Sequence, residues 1–174
     1  MCLETPRLLL TPWSPQQLVA LIERPEHFEE LTGLPAADGL RDFFVSDDVS
    51  PTWLEALRAA STADPWRHGF FVVDRDEQRV IGSAGFKAPP DASGTVEIAY
   101  GIVPSSEGNG YATEAASALV DFALNEASVK LVCAHTLPVA NASTRVLLKC
   151  GFRHVGSVVD PEDGLVWRWE RGKD

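Results

Sequence analysis

Two glycines, Gly108 and Gly110, lie in a polar turn between an apolar run and a helical pattern, and this arrangement can bind an anion. The β-branched run over residues 96–103 predicts a buried strand. After the turn, apolar residues recur at the spacing of one helix face: Ala112, Ala115, Ala116, Leu119, Val120, Ala123 and Leu124. A helix start presents free backbone N–H groups and the positive end of the helix dipole, and glycine lets an anion approach closely. We therefore predict a phosphate or pyrophosphate site.

Two common phosphate-binding motifs do not fit this turn. No Lys-Ser or Lys-Thr pair follows the glycines, so it is not a P-loop. Thr113 occupies the place of the third glycine in the dinucleotide-binding fingerprint. A glycine pair also serves turn geometry alone, so the pattern by itself leaves a purely structural role open.

The elements that position this turn can be predicted from apolar periodicity. Strands are predicted over residues 7–11, 69–74, 79–86, 96–103, 129–136, 152–159 and 165–171. Helices are predicted after Ser14, from Thr52, after the glycine turn, and from Asn141 to Gly151. Because a helix separates them, the fourth and fifth strands should run parallel through a right-handed crossover.

Composition limits the classes of function. The 174 residues predict a single domain over residues 1–174, with no apolar stretch long enough to span a membrane and no secretory signal. Three widely spaced cysteines predict reduced thiols in a cytoplasmic protein and no metal site. The formal charge of −10 disfavours nucleic acid and favours a cationic or amine-bearing partner.

Residues 107–112, Glu-Gly-Asn-Gly-Tyr-Ala, resemble the acyl-CoA loop of the GCN5-related N-acetyltransferases (GNAT superfamily). That loop reads Arg/Gln-x-x-Gly-x-Gly/Ala, and Glu107 is the departure from it. The longer string Gly-Asn-Gly-Tyr-Ala-Thr-Glu-Ala resembles the RimJ/RimL branch of the superfamily. A second block resembles Asn-x-x-Ser-x-x-x-Leu-x-Lys-x-Gly-Phe: Ser143, Lys149, Gly151 and Phe152 are in register, and Asn141 is displaced by one residue.

The resemblance implies an α+β (mixed α/β) GNAT fold with acetyl-CoA as co-substrate. We expect a central, mostly antiparallel sheet of six to seven strands, with splayed parallel strands 4 and 5 and about four flanking helices. The pantetheine arm would enter the gap between the splayed strands. The residues expected to bind acetyl-CoA are Ile102, Val103, Gly108, Asn109, Gly110, Tyr111, Ala112, Thr113 and Asn141.

Acyl transfer to an amine also requires donors that stabilise the oxyanion and a base that deprotonates the ammonium. The resemblance implies that an unpaired N–H near Ile102, in the splayed fourth strand, is such a donor. Glu97 is the candidate base, because its place in an apolar strand should raise its pKa by desolvation. Alternatively, Glu97 faces solvent or pairs with Lys87. His135 is a second candidate base or a structural histidine. By family precedent, Ser143 either donates to the leaving thiolate or caps a helix.

Three functions follow from the resemblance. The leading one is an acetyl-CoA-dependent N-acetyltransferase that acetylates a protein N-terminal residue by direct transfer in a ternary complex. The alternatives are a small-molecule acetyltransferase, acting on an amino acid, polyamine or antibiotic, and a non-catalytic acyl-CoA-binding module. Glu107 and the displaced Asn141 lend some support to the non-catalytic module. Phe43 and Phe44 either line the acceptor pocket or, as favoured here, belong to the core. Homodimers are common in the family.

Overall fold

Eight strands form one sheet in the computed structural model, which describes residues 1–45 and 49–173. The strands are β1 (Leu3–Glu4), β2 (Leu8–Pro12), β3 (Phe70–Asp74), β4 (Arg79–Phe86), β5 (Thr95–Ile102), β6 (Leu131–Thr136), β7 (Arg153–Asp160) and β8 (Gly164–Gly172). Their order across the sheet is β1-β2-β3-β4-β5-β6-β8-β7. Every neighbouring pair is antiparallel except β5 and β6, which are parallel.

Six α-helices flank the sheet in the described part of the chain. They are α1 (Pro15–Glu23), α2 (Phe28–Thr32), α3 (Pro51–Ala59), α4 (Pro65–His68), α5 (Tyr111–Asn125) and α6 (Ala142–Lys149). The predicted cap of α1 is confirmed, since the Ser14 hydroxyl accepts the Gln17 N–H at 3.1 Å. No helix in residues 1–45 or 49–173 is both long and apolar enough to cross a bilayer.

The predicted GNAT arrangement is confirmed, with one strand and two short helices, α2 and α4, more than expected. The predicted strands 4 and 5 are β5 and β6, because the two-residue strand β1 precedes the first predicted strand. A turn in which the Thr5 N–H donates to Leu8 O at 3.0 Å folds β1 back onto β2. Two residues are too few to show an alternating pattern, so the sequence does not reveal β1.

The two faces of the sheet are covered by different helices. On β3, Phe70 points to the α5 face and contacts Phe122 of α5, with ring centres 5.5 Å apart. The next residue, Phe71, points to the opposite face and contacts Trp13 at 4.9 Å. Because side chains alternate along a strand, the α5 face and the Trp13 face hold separate layers of the core.

The parallel strands β5 and β6 separate after a short paired stretch. Pairing runs from Thr95 opposite Leu131 to Glu97 opposite Cys133, and the strands diverge beyond it. Antiparallel pairing of β5 with β4 continues to Ile102, so it is β6 that departs. The result is a fork in the sheet whose closed end is Glu97.

Candidate active site

The glycine loop, residues 104–110, ends in an uncapped helix start. Gly108 and Gly110 have φ values of +79° and +81°, a left-handed conformation that glycine adopts without strain. Gly110 is the N-cap of α5, and no side chain bonds to the first turn of this 15-residue helix. The first-turn N–H groups are therefore free to bind an anion, as the sequence predicts.

A cleft of about 520 Å³ opens between the glycine loop, β5 and α6; we call it the loop cleft. Seven of the predicted site residues line it: Ile102, Gly108, Gly110, Tyr111, Ala112, Thr113 and Ser143. The neighbours Tyr100 and Gly101 also line it, although their positions on β5 face opposite sides of the sheet. The loop cleft therefore passes through the fork, where β6 no longer covers β5.

Three residues predicted to bind the co-substrate are not in the lining of the loop cleft. Val103 is fully buried, and its N–H donates to Ile81 O at 2.8 Å. The Asn109 amide donates to the Ser106 carbonyl at 3.1 Å and so closes the glycine loop. The Asn141 carboxamide accepts the Thr144 N–H at 3.0 Å and caps α6.

The backbone of Ile102 presents an N–H group to the fork. Val103 N–H points toward β4, where it bonds to Ile81 O. Because successive N–H groups along a strand point in opposite directions, the Ile102 N–H points toward the side that β6 has left. A thioester carbonyl in the fork could accept this donor.

Tyr100 and Ser143 are polar neighbours in the lining of the loop cleft. The side chain of Tyr100 is on the α5 face of β5, and the Ser143 hydroxyl from the first turn of α6 lies beside it. Burial raises the pKa of Tyr100 to about 12, with a smaller opposing effect from the Ser143 hydroxyl. The phenol therefore stays protonated at neutral pH. Sequence reasoning missed Tyr100, whose place in an apolar strand is typical of a packing residue.

Two cations on α6 also line the loop cleft. Arg145 and Lys149 are exposed and lie four residues apart, so they project from one face of the helix. Glu107 is the opposing charge in the lining, which leaves the cleft locally positive in a chain of formal charge −10. Arg145 was not predicted, although its spacing from Lys149 is visible in the sequence.

The Glu97 carboxylate lies between two cationic or basic side chains. Its Oε2 is 3.0 Å from Lys87 Nζ, so the predicted alternative of an ion pair with Lys87 is what the structure contains. Its Oε1 is 3.1 Å from His135 Nδ1. Glu97 and Ser143 are not brought together, because Tyr100, which lies beside Ser143, projects from the other face of β5.

A second cleft, of about 730 Å³, lies on the Trp13 face between α3, residues 60–69 and strands β4 and β5; we call it the aromatic cleft. Trp53 and Phe44 form its wall, with stacked rings 6.3 Å apart. Ala99 lies in its floor, two residues from Gly101 of the loop cleft, so both clefts meet on β5. The core assignment of Phe43 is wrong: its side chain is 40% exposed and lines the loop cleft.

Comparison with known proteins identifies the family. The profile of the acetyltransferase (GNAT) domain matches residues 7–153 of the chain. The chain belongs to the GNAT acetyltransferase family. Across residues 1–45 and 49–173 of this GNAT chain, no group of three or more His, Cys, Asp or Glu side chains could hold a metal ion.

A curated relative of this chain is also described as an N-acetyltransferase. YjdG, an uncharacterized N-acetyltransferase of Bacillus subtilis (strain 168), is 32% identical over 89 residues, which cover 51% of this chain and 51% of YjdG. The chain thus aligns with about half the length of this curated relative.

Solved structures share the fold at low identity. RimL, a ribosomal L7/L12 alpha-N-protein acetyltransferase in complex with coenzyme A, has a TM-score of 0.67 at 15% identity, with 100% and 99% of the two chains covered. The aminoglycoside acetyltransferase AAC(6')-Ib with coenzyme A has a TM-score of 0.63 at 19% identity, with 95% of each chain covered. Because a protein acetyltransferase and an antibiotic acetyltransferase share this fold, the fold does not select the acceptor.

Proposed function

We propose that this GNAT chain is an acetyl-CoA-dependent N-acetyltransferase that binds its co-substrate in the loop cleft. The observation that supports this best is the uncapped start of α5, where Gly110 has φ +81° and lines a cleft that passes through the β5–β6 fork. Free N–H groups at a helix start suit a pyrophosphate. A gap between strands suits a narrow pantetheine arm ending in a thioester.

The phosphates of CoA would be held by backbone and side chains together. The first-turn N–H groups of α5 donate without a competing cap, and Arg145 and Lys149 add positive charge on the opposite wall of the loop cleft. Glu107 supplies no donor. Its carboxylate is exposed, so it can remain in solvent while the N–H groups bind.

Acetyl-CoA would supply an acetyl thioester. In direct transfer within a ternary complex, the acceptor nitrogen forms the new C–N bond while the C–S bond breaks, the ammonium gives up a proton, and the CoA thiolate takes one. The Ile102 N–H is positioned to stabilise developing charge on the carbonyl oxygen. The Tyr100–Ser143 pair, on the α5 face, is the proton donor for the thiolate.

The proton of the acceptor ammonium would go to His135, which Glu97 orients. A carboxylate only accepts hydrogen bonds, so the contact with Oε1 requires the His135 proton on Nδ1 and leaves Nε2 as the basic nitrogen. Glu97 itself already contacts the Lys87 ammonium. Glu97 thus remains in the proposed catalytic group, as the residue that fixes the histidine tautomer.

The aromatic cleft would take the acceptor, which we propose is the N-terminal residue of a protein. Among the residues that the structure describes, the Arg and Lys side chains in the lining of this cleft are each paired with a carboxylate. Arg67 Nε lies 3.4 Å from Asp64, and Lys87 contacts Glu97. Burial lowers the pKa of His68 in the same lining, which favours the neutral form of this ring. A polyamine or an aminoglycoside carries several ammonium groups, and the additional ones need carboxylate partners in the site. An acceptor with a single amine next to an apolar side chain suits the aromatic wall of this cleft.

Transfer of radiolabelled acetyl groups from acetyl-CoA tests this function. A panel of peptides with different N-terminal residues would be compared with spermidine and an aminoglycoside, with free thiol measured in parallel. We expect labelled peptide and an equal amount of free thiol. Label on spermidine or the aminoglycoside alone would contradict the proposed acceptor, and CoA binding without transfer to any amine would favour a non-catalytic module.

A further inference from the structure

Arg7, in the turn between β1 and β2, contacts the glycine loop across a sequence separation of 102 residues. Its Nη1 donates to the backbone oxygen of Asn109 at 2.8 Å. Its guanidinium carbon lies 4.4 Å from the centre of the Tyr111 ring, a cation–π contact. One side chain therefore contacts both the loop and the first residue of α5.

The position of Arg7 is also set by a carboxylate on α5, that of Glu114. Arg7 Nε donates to Glu114 Oε1 at 3.1 Å, and the backbone N–H of Arg7 donates to Glu114 Oε2 at 3.1 Å. The Thr5 hydroxyl donates to the same Oε2 at 2.5 Å. The Tyr111 hydroxyl donates to the buried Asp74 at 3.2 Å, which holds the ring under the guanidinium. These bonds hold the guanidinium between Glu114 and the glycine loop.

This geometry fixes the direction of the Gly110 N–H. In a planar trans peptide, the C=O of Asn109 and the N–H of Gly110 point in opposite directions. Since Asn109 O points at Arg7, the Gly110 N–H points away from it. A Cβ on Gly110 would lie 3.3 Å from Arg7 Nη2, so Arg7 occupies the back of the loop, while Gly110 itself lines the loop cleft.

We propose that Arg7 is a positioning residue that aims the Gly110 N–H into the loop cleft to bind the pyrophosphate of CoA. This inference rests on the proposed function. It also explains how the glycine loop can bind a pyrophosphate although Glu107 offers no donor. The cation that orients the loop is Arg7, which lies behind it in the turn between β1 and β2. Donation from the guanidinium to Asn109 O also polarises the shared peptide and strengthens the Gly110 donor.

NMR titration of the 15N-labelled full chain tests the proposal with two probes. CoA contains the pyrophosphate and pantetheine lacks it, so only CoA reports on the Gly110 donor. The variants are Arg7→Gln, which removes the guanidinium, and Arg7→Lys, which keeps a charge beside Glu114 but cannot bond to Glu114 and Asn109 O together. Arg24→Gln, at an exposed arginine after α1, is the matched control.

We expect the Gly110 amide resonance of the wild type and of Arg24→Gln to shift on addition of CoA. In Arg7→Gln this shift should be lost and the Kd for CoA should rise about tenfold or more, the effect of one charge-assisted hydrogen bond. The Kd for pantetheine should stay within about twofold. Arg7→Lys should give an intermediate Kd for CoA. This variant is used in place of Arg7→Gln if Arg7→Gln melts below the assay temperature.

Two results would overturn the positioning role. Equal weakening of CoA and pantetheine would mean that Arg7 only supports the fold, and an unchanged Gly110 shift with unchanged Kd would mean that the loop is oriented without it. Failure of the proposed function is distinguishable, because the wild type itself would then show no resonance shifts with CoA.

Discussion

His135 Nδ1 lies 3.1 Å from Glu97 Oε1 at the point where β6 leaves β5. Glu97 is the last residue of β5 that pairs with β6, and His135 follows two residues after its partner Cys133. Both side chains therefore lie on one face of the sheet, at the closed end of the fork. The loop cleft passes through the open end of the same fork, so the proposed base and the proposed thioester site lie at the two ends of one gap between strands.

The Glu97–His135 pair predicts different effects of two substitutions. His135→Gln should lower kcat by about 10²- to 10⁴-fold, because the proton acceptor is lost. Glu97→Gln should lower kcat by less, because the amide oxygen of Gln still accepts the Nδ1–H of His135. His27→Gln, at an exposed histidine, is the control. Full activity of His135→Gln with loss in Glu97→Gln would identify Glu97 as the base instead.

Arg145 and Lys149 should contribute to CoA affinity through charge. We expect Arg145→Gln and Lys149→Gln each to raise the Kd for CoA by about three- to tenfold at low salt, because exposed charges bind phosphate in competition with water. Calorimetry at two salt concentrations measures this, with the exposed Arg153→Gln as control. A loss of affinity that persists unchanged at about 1 M salt, where the Debye length is about 3 Å, would contradict a charge effect.

Trp53 should contribute to binding of the acceptor and not to binding of the co-substrate. It lines the aromatic cleft and is not in the lining of the loop cleft. Trp53→Ala should raise the KM for a peptide acceptor by about tenfold through lost apolar contact, while the Kd for CoA stays unchanged. Parallel kinetics and calorimetry separate the two. Equal loss for both ligands would mean that the two clefts are not separate sites.

Glu114 should stabilise the fold at neutral pH and lose this effect in acid. Burial would raise its pKa, but hydrogen bonds from Thr5 and Arg7 outweigh burial and lower the pKa below 4.5. A carboxyl with a lowered folded-state pKa contributes stability above its unfolded pKa and loses it as the pH falls through the folded value. Glu114→Gln should therefore melt about 2–4 °C lower than wild type at pH 7.

The melting difference between wild type and Glu114→Gln should shrink below about pH 4.5. Glu55→Gln, at an exposed position on α3, should melt as the wild type does at both pH values. A difference between Glu114→Gln and wild type that is the same at pH 7 and pH 4 would show that ionisation of Glu114 is not its cause.

The elements and the position of the glycine loop could be predicted because their signals are local. Ser14 precedes Pro15 and a helical pattern, and the glycine turn lies directly between a strand and a helix. Periodicity within ten to fifteen residues determines such features. The branch of the family within GNAT and the acceptor remain predictions, since they depend on side chains from several elements.

The contacts that complete the site could not be predicted, because they depend on strand register and on distant residues. Arg7 bonds to Asn109 across 102 residues, and Tyr100 reaches Ser143 only because α6 packs on the α5 face. Such pairings become visible only when the sheet order is known.

Calorimetric titration of acetyl-CoA into the wild type, Ala142→Trp and Ala127→Trp tests the central claim most directly. Ala142 is an exposed residue in the lining of the loop cleft, so an indole there should fill the cleft without disturbing the core; Ala127 is exposed and outside this lining. We predict about micromolar binding by the wild type and by Ala127→Trp, and at least about tenfold weaker binding by Ala142→Trp. No binding by the wild type, or equal binding by all three proteins, would contradict a co-substrate site in the loop cleft.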